Sequence, residues 1–180
     1  MIRLPAEILV DGPTALRRWR DEDVPAIVAA VRDPEIPRWT SVPQTYTAAE
    51  ARAYVRVRED EPRADRRAPF AIVAADDSDR LLGSISLMRF AWEQQRGEVG
   101  YWLAADARGL GHATRALRLI CEWGFKTLPL ERIELLAATG NAPSQRVAER
   151  AGFTREAVLR SYAAAKDGRQ DMVVFALLAA

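Results

Sequence analysis

The chain is short of thiols, of lysines and of long apolar runs, and each shortage excludes something. One cysteine, Cys121, in 180 residues rules out an internal disulfide framework and a CxxC zinc site. It fits a reducing compartment, so a cytoplasmic location is expected. The longest apolar run, from Met172 to Ala180, is too short to span a bilayer and reads as a buried strand. The opening residues Met1-Ile2-Arg3-Leu4-Pro5-Ala6-Glu7 lack the apolar stretch of a signal peptide. No membrane partner is therefore expected. The formal net charge is +1, so no nucleic-acid partner is expected from overall charge, and any basic feature must be local. Arginine outnumbers lysine 24 to 2 beside abundant alanine, which points to a GC-rich genome rather than to arginine chemistry.

What is present suits one domain over residues 1–180. Hydrophobic residues make up 49% and charged residues 28%, the balance of a soluble globular protein with a real core. No internal repeat or interdomain linker interrupts it. A strand is expected near residues 15–19, followed by a helix capped by Asp21 with the apolar stripe Val24, Ile27, Val28 and Val31. Asp33-Pro34 ends that helix, and residues 38–43 read as a loop. Thr47-Ala48-Ala49-Glu50 has the form of a capping box and opens a second helix to about Glu59. Strands are expected over 70–75, 81–90 and 96–103, with a turn at Asp76-Asp77-Ser78-Asp79. A helix follows Gly111, then a strand over 132–137, a short helix over 141–150 stopped by Gly152, and two last strands over 153–162 and 170–178. The order β, α, α, β, β, β, α, β, α, β, β is an α/β mixture with consecutive antiparallel strands in its middle. Strict strand–helix alternation is absent, which sets aside a doubly wound fold.

Two strand-to-helix turns carry the chemistry. In the first, Arg108-Gly109-Leu110-Gly111-His112-Ala113, glycines and a small residue let an anion approach the unpaired N–H groups of the helix that follows. Arg108 and Arg115 add forked positive charge. No Lys-Ser or Lys-Thr pair follows, so this is not a Walker A loop, and GxGxxG fails at Ala113-Thr114. The plain alternative is a glycine-softened turn. In the second, Thr139-Gly140-Asn141-Ala142-Pro143-Ser144, Asn141 offers an amide and Ser144 a hydroxyl able to protonate a leaving group. The plain alternative is that Asn141 caps a helix and Ser144 sits in its first turn.

Residues 96–153 resemble the GCN5-related N-acetyltransferase (GNAT) family, most of all its RimJ/RimL branch, which acetylates N-terminal amines of ribosomal proteins. The marks are Glu98-Val99-Gly100-Tyr101-Trp102-Leu103, Arg108-Gly109-Leu110-Gly111-His112-Ala113-Thr114, Asn141-Ala142-Pro143-Ser144 and Ala151-Gly152-Phe153. Leu16-Arg17-Arg18-Trp19 with Asp21-Glu22-Asp23, and Gly168-Arg169-Gln170-Asp171-Met172-Val173, extend it over nearly the whole chain.

The resemblance implies a mixed, mostly antiparallel central sheet flanked by about four helices, with acetyl-CoA as cosubstrate and no metal. It places the pyrophosphate on Arg108, Gly109, Leu110, Gly111, His112, Ala113 and Thr114, and the pantetheine arm along Trp102-Leu103 as an added strand. It gives Asn141 the other side of that arm and Ser144 the departing thiolate. Glu98 is the candidate general base, since only the free amine attacks a thioester; the alternative is a solvent-facing strand glutamate. A backbone N–H near Leu103 is the implied oxyanion donor. Arg115 stands where many relatives carry glutamate, as a phosphate contact or a surface charge. His112 and Cys121 are read as non-catalytic. Trp39 and Trp92 lie in segments that border the acceptor in similar proteins. The acceptor is a protein N-terminus or a small amine such as an aminoglycoside, polyamine or amino acid, and the resemblance admits a homodimer. An acyl-CoA sensor without turnover would need neither Glu98 nor Ser144, and both are present.

Overall fold

The computed structural model describes residues 2–43, 46–60, 65–165 and 168–180. Its strands form one eight-stranded sheet in the order β1-β2-β3-β4-β5-β6-β8-β7. They span Leu9–Asp11 (β1), Thr14–Arg17 (β2), Arg67–Ala74 (β3), Leu81–Ala91 (β4), Arg96–Leu103 (β5), Arg132–Ala138 (β6), Thr154–Ala165 (β7) and Gly168–Leu178 (β8). Every neighbouring pair is antiparallel except β5 and β6. That parallel pair is joined through α4 (His112–Thr127), the helical crossover that parallel strands require. The other helices are α1 (Val24–Ala30), α2 (Glu35–Trp39), α3 (Ala48–Asp60) and α5 (Ala142–Arg150). The expected mixed sheet and four longer helices are thus observed.

The helices form two layers because the strands alternate their side chains between two cores. On one face, Phe70, Ile85, Val99, Ile133, Leu135 and Phe175 meet the stripe Ala113, Ala116, Leu117, Ile120 and Cys121 of α4 and Ala148 of α5. On the other, Ala15, Ala71, Val73 and Trp102 meet Val24 and Ile27 of α1, Ile36 of α2, and Ala51 and Val55 of α3. Arg17 and Asp23, both buried, join β2 to the start of α1 through two hydrogen bonds of 2.9 and 2.7 Å. Removing one partner of such a pair costs about 3–5 kcal/mol.

Several local expectations are met. Thr47 and Glu50 form the capping box, with N–H groups donated in both directions at 2.6 and 3.2 Å. Gly152 closes α5 at φ +97. Three differ. Asp21 does not cap α1: it opens a 3-10 turn over Asp21–Asp23, and Asp23, which stands at the N-cap of α1, gives no side-chain cap there and accepts the Arg20 N–H at 2.9 Å instead. The expected loop over 38–43 begins inside α2, a five-residue helix containing Pro37, too short to show periodicity. A three-residue strand, β1, precedes the one expected first and pairs, among the described strands, with β2 alone.

Candidate active site

β5 and β6 pair only at Arg96↔Arg132, Gly97↔Ile133 and Glu98↔Glu134. Beyond Glu98 they part, while β5 stays bonded to β4 as far as Leu103 and β6 to β8 as far as Ala138. The sheet is split by a V whose apex is Glu98. Ala104 N–H donates to Leu82 C=O at 2.9 Å, which makes Ala104 and Leu82 a hydrogen-bonded pair. By antiparallel alternation, the N–H and C=O groups of Tyr101 and Leu103 then point away from β4 and into the V. The Leu103 C=O is taken by the Arg108 guanidinium; the Tyr101 N–H and C=O and the Leu103 N–H form the remaining strand edge, the kind an extended amide-bearing chain completes.

The glycine turn stands at the open end of the β5 arm. Gly109 and Gly111 have φ +78 and +86, and a Cβ at either would meet nothing within 4 Å. The turn therefore needs glycine for its backbone, and both residues border open space. Gly111 is the N-cap of α4 and gives no side-chain cap. The N–H groups of His112, Ala113 and Thr114 precede the first helical bond, from Arg115 N–H to Gly111 C=O, so they remain for an anion. Leu110 is exposed and Ala113 buried.

The expected charged side chains of this turn are committed elsewhere. Arg108 folds back, donating Nε and Nη2 to Leu103 C=O at 3.2 and 2.9 Å, and its Nη1 lies 2.6 Å from Asp33 Oδ2. Arg115 reaches Asp11 at 3.4 Å beside Gly12. The groups of this turn that carry no partner among the described residues are backbone N–H groups, together with the buried Arg115 Nε. The buried His112 ring shares a 2.8 Å hydrogen bond with Thr14. Burial, then the charges of Arg80 and Arg115, push its pKa down. Its side chain is structural, and only its N–H faces the turn.

Across the V, Asn141 caps α5: its Oδ1 accepts the Ser144 N–H at 3.1 Å. The Asn141 Nδ2 and the Ser144 hydroxyl are left over from that cap. Tyr101 on β5 donates its hydroxyl to Ser144 Oγ at 3.2 Å, bridging the arms on the α4–α5 face. Burial raises the Tyr101 pKa, against the Ser144 hydrogen bond that lowers it, so the phenol stays protonated. Sequence singled out Tyr101 only as part of a motif. Its position three residues beyond Glu98 puts the two side chains on opposite faces, which was the available signal.

Glu98 faces the α1–α3 side with Trp102, which is buried in that core. Its carboxylate is 15% exposed and receives Arg89 Nη1 at 2.8 and 2.9 Å. Arg89 has φ +51 within the bulge of β4, and that irregularity turns it onto Glu98. Trp39 donates to Glu35 Oε2 at 2.9 Å, and its ring lies 3.5 Å from where a Cβ of Gly140 would sit. It borders the V. Trp92 does not: it stacks on Phe90 at 4.3 Å and lies beside Thr127, Leu128 and Pro129 at the far end of α4. The side chains of Trp102 and Leu103 are buried in opposite cores, so any contact with an arm in the V is through their backbone. The acidic turn 76–79 includes Asp77 Oδ1 accepting Asp79 N–H at 3.1 Å, and Asp79 pairs with Arg20.

An anion cradle of bare helical N–H groups, a free strand edge leading from it, and a hydroxyl pair beside that edge fit a phosphorylated, amide-linked thioester. Residues 14–154 match the family model of the acetyltransferase (GNAT) domain. The p20 N-acetyltransferase of Bacillus licheniformis is 27% identical, with 96% of each chain covered. The ribosomal-protein-serine acetyltransferase of Escherichia coli is 30% identical over 54% of this chain and 55% of its own. Among solved structures, RimL, a ribosomal L7/L12 alpha-N-protein acetyltransferase in complex with coenzyme A, superposes with a TM-score of 0.86 at 20% identity, covering 96% of this chain and 98% of its own. The chain belongs to the GNAT family and is an N-acetyltransferase that takes acetyl-CoA as donor and an amine as acceptor.

Proposed function

We propose that this chain, acting as one domain over residues 1–180, acetylates a protein N-terminal amine, with Glu98 and Ser144 as its proton-transfer groups. The observation that carries the roles is their placement on opposite faces of the V. Ser144 lies with α4 and α5, where the anion cradle is. Glu98 faces the α1–α3 side. An amine entering from that side meets a carboxylate, and a thiolate leaving toward the other meets a hydroxyl.

The cradle at Gly109–Thr114 holds the pyrophosphate, the open edge of β5 aligns the pantetheine arm, and the Asn141 amide faces it from the start of α5. Glu98 takes a proton from the acceptor ammonium through the lone pairs that Arg89 leaves open, and the free amine so formed attacks the thioester carbonyl. The N–H of Tyr101 points into the V one pair closer to Glu98 than that of Leu103, and it receives the charge developing on the thioester oxygen. Ser144, hydrogen-bonded by Tyr101, returns a proton to sulfur. The protein N-terminus as acceptor is supported by the likeness to the ribosomal-protein-serine enzyme.

The test is CoA release from acetyl-CoA against peptides beginning with Ser or Ala, aminoglycosides, polyamines and free amino acids. Turnover with peptides, abolished to about one part in 10²–10⁴ in Glu98→Gln, is the expected result. Turnover with small amines alone would replace the acceptor. CoA binding without turnover across the panel would favour a sensor.

A further inference from the structure

Arg108 is the motif residue whose charge most invites a phosphate, yet among the described residues its hydrogen bonds and ion pair are internal. It joins the last carbonyl of β5, Leu103 C=O, to Asp33 at the junction of α1 and α2. Asp33 is built to receive it. Its Oδ1 accepts the Glu35 N–H at 3.1 Å and so starts α2. Its Oδ2 is buried and accepts no well-aligned hydrogen bond among the described residues, so the Arg108 charge at 2.6 Å is what compensates it.

The two ends of α2 reach the two arms of the V. Its beginning is tied to β5 through Asp33 and Arg108. Its end, Trp39, lies against Gly140, immediately before the Asn141 cap of α5. Ile36 anchors the middle in the α1–α3 core, and Glu35 braces both Arg38 and Trp39 at 3.0 and 2.9 Å. Five residues thus bridge the open end of the cleft on the face from which the amine enters.

We propose that α2 is a strap that fixes the width of the V, and that Asp33 is a positioning residue for acetyl transfer, acting through Arg108 on the end of β5. Arg108 is then a structural tie and not a phosphate ligand. When the tie is cut, the strand edge and the Asn141–Ser144 turn lose their fixed separation, while the backbone cradle is untouched. The proposal rests on the acetyl-transfer reading but not on which amine accepts.

The experiment compares Asp33→Asn and Arg108→Lys with the parent chain, using acetyl-CoA and S-acetylpantetheine, a donor without pyrophosphate or nucleotide. The expected result is a loss in kcat of about tenfold for both donors, as small misplacements of reacting groups produce. The combined variant should be no worse than the single ones, because both cut one tie. CoA affinity measured by calorimetry with no acceptor should stay within about threefold. A loss confined to acetyl-CoA, or CoA binding weakened about tenfold or more, would make Arg108 a phosphate ligand and overturn the proposal. Lowered thermal stability with unchanged kcat in the folded protein would also overturn it. Should no acceptor turn over, hydrogen exchange at the α2 amides of Arg38 and Thr40, bonded to Pro34 and Ile36 carbonyls, decides: faster exchange in Asp33→Asn is expected, and an unchanged rate sinks the strap.

Discussion

The two strand-to-helix turns on either side of the V look alike in sequence and treat their helix ends in opposite ways. At Gly111 the helix has a left-handed cap and no side-chain acceptor, so its first N–H groups face outward unsatisfied. At Asn141 the helix satisfies its own Ser144 N–H. An uncapped helix start is an anion site, whereas a capped one is closed to anions and can act only through the groups its cap leaves over. In the proposed mechanism the first turn therefore binds through backbone, and the second acts through the Ser144 hydroxyl and the Asn141 amide nitrogen. Glycine in one and asparagine in the other leave different groups open: backbone N–H groups at the first turn, side-chain groups at the second.

The division breaks most visibly at Ser144. Ser144→Ala keeps the backbone N–H that Asn141 caps, so fold and CoA affinity should hold while kcat falls about 10²-fold or more. Tyr101→Phe, which removes only the 3.2 Å hydrogen bond to that hydroxyl, should cost less in kcat. A larger loss for Tyr101→Phe would transfer the acid role to the phenol. At the binding turn the pattern should invert. Gly111→Ala places a Cβ on a residue at φ +86, straining the turn by about 1–2 kcal/mol and weakening CoA binding in calorimetry, with kcat at saturating donor largely kept. The smallest effect is at the second cap. Asn141→Ala should lower stability by about 1 kcal/mol, a fall in Tm of about 2–4 °C for a chain of this size. Asn141→Asp retains the accepting oxygen and should keep the Tm, so any weakening of CoA binding there isolates the amide nitrogen.

Sequence disclosed what is local. The capping box at Thr47, the stripe of α4 and the two turns are each written within a few residues, and the order of elements along the chain, β1 and α2 excepted, follows from such signals. It did not disclose what depends on distant pairing. His112 stands in the glycine turn, but its ring is claimed by Thr14, 98 residues away. Arg108 answers to Asp33, and no spacing rule links a residue at a strand end to one between two helices. The α2 strap has two prolines at or before its first turn, Pro34 and Pro37, and too few residues to print a period. Glu98 was legible as a carboxylate on β5, but its Arg89 partner is aimed by a β4 bulge that alternation alone does not reveal.

The lone cysteine has a practical consequence. Cys121 is 1% exposed in the core under α4, and burial raises its thiol pKa far above the ordinary range. Thiolate is the form that disulfide reagents attack, so the native enzyme is chemically silent toward them. Every equivalent of chromophore released by an aromatic disulfide in a turnover assay then reports free CoA, and the same reagent in denaturant counts enzyme molecules one thiol at a time.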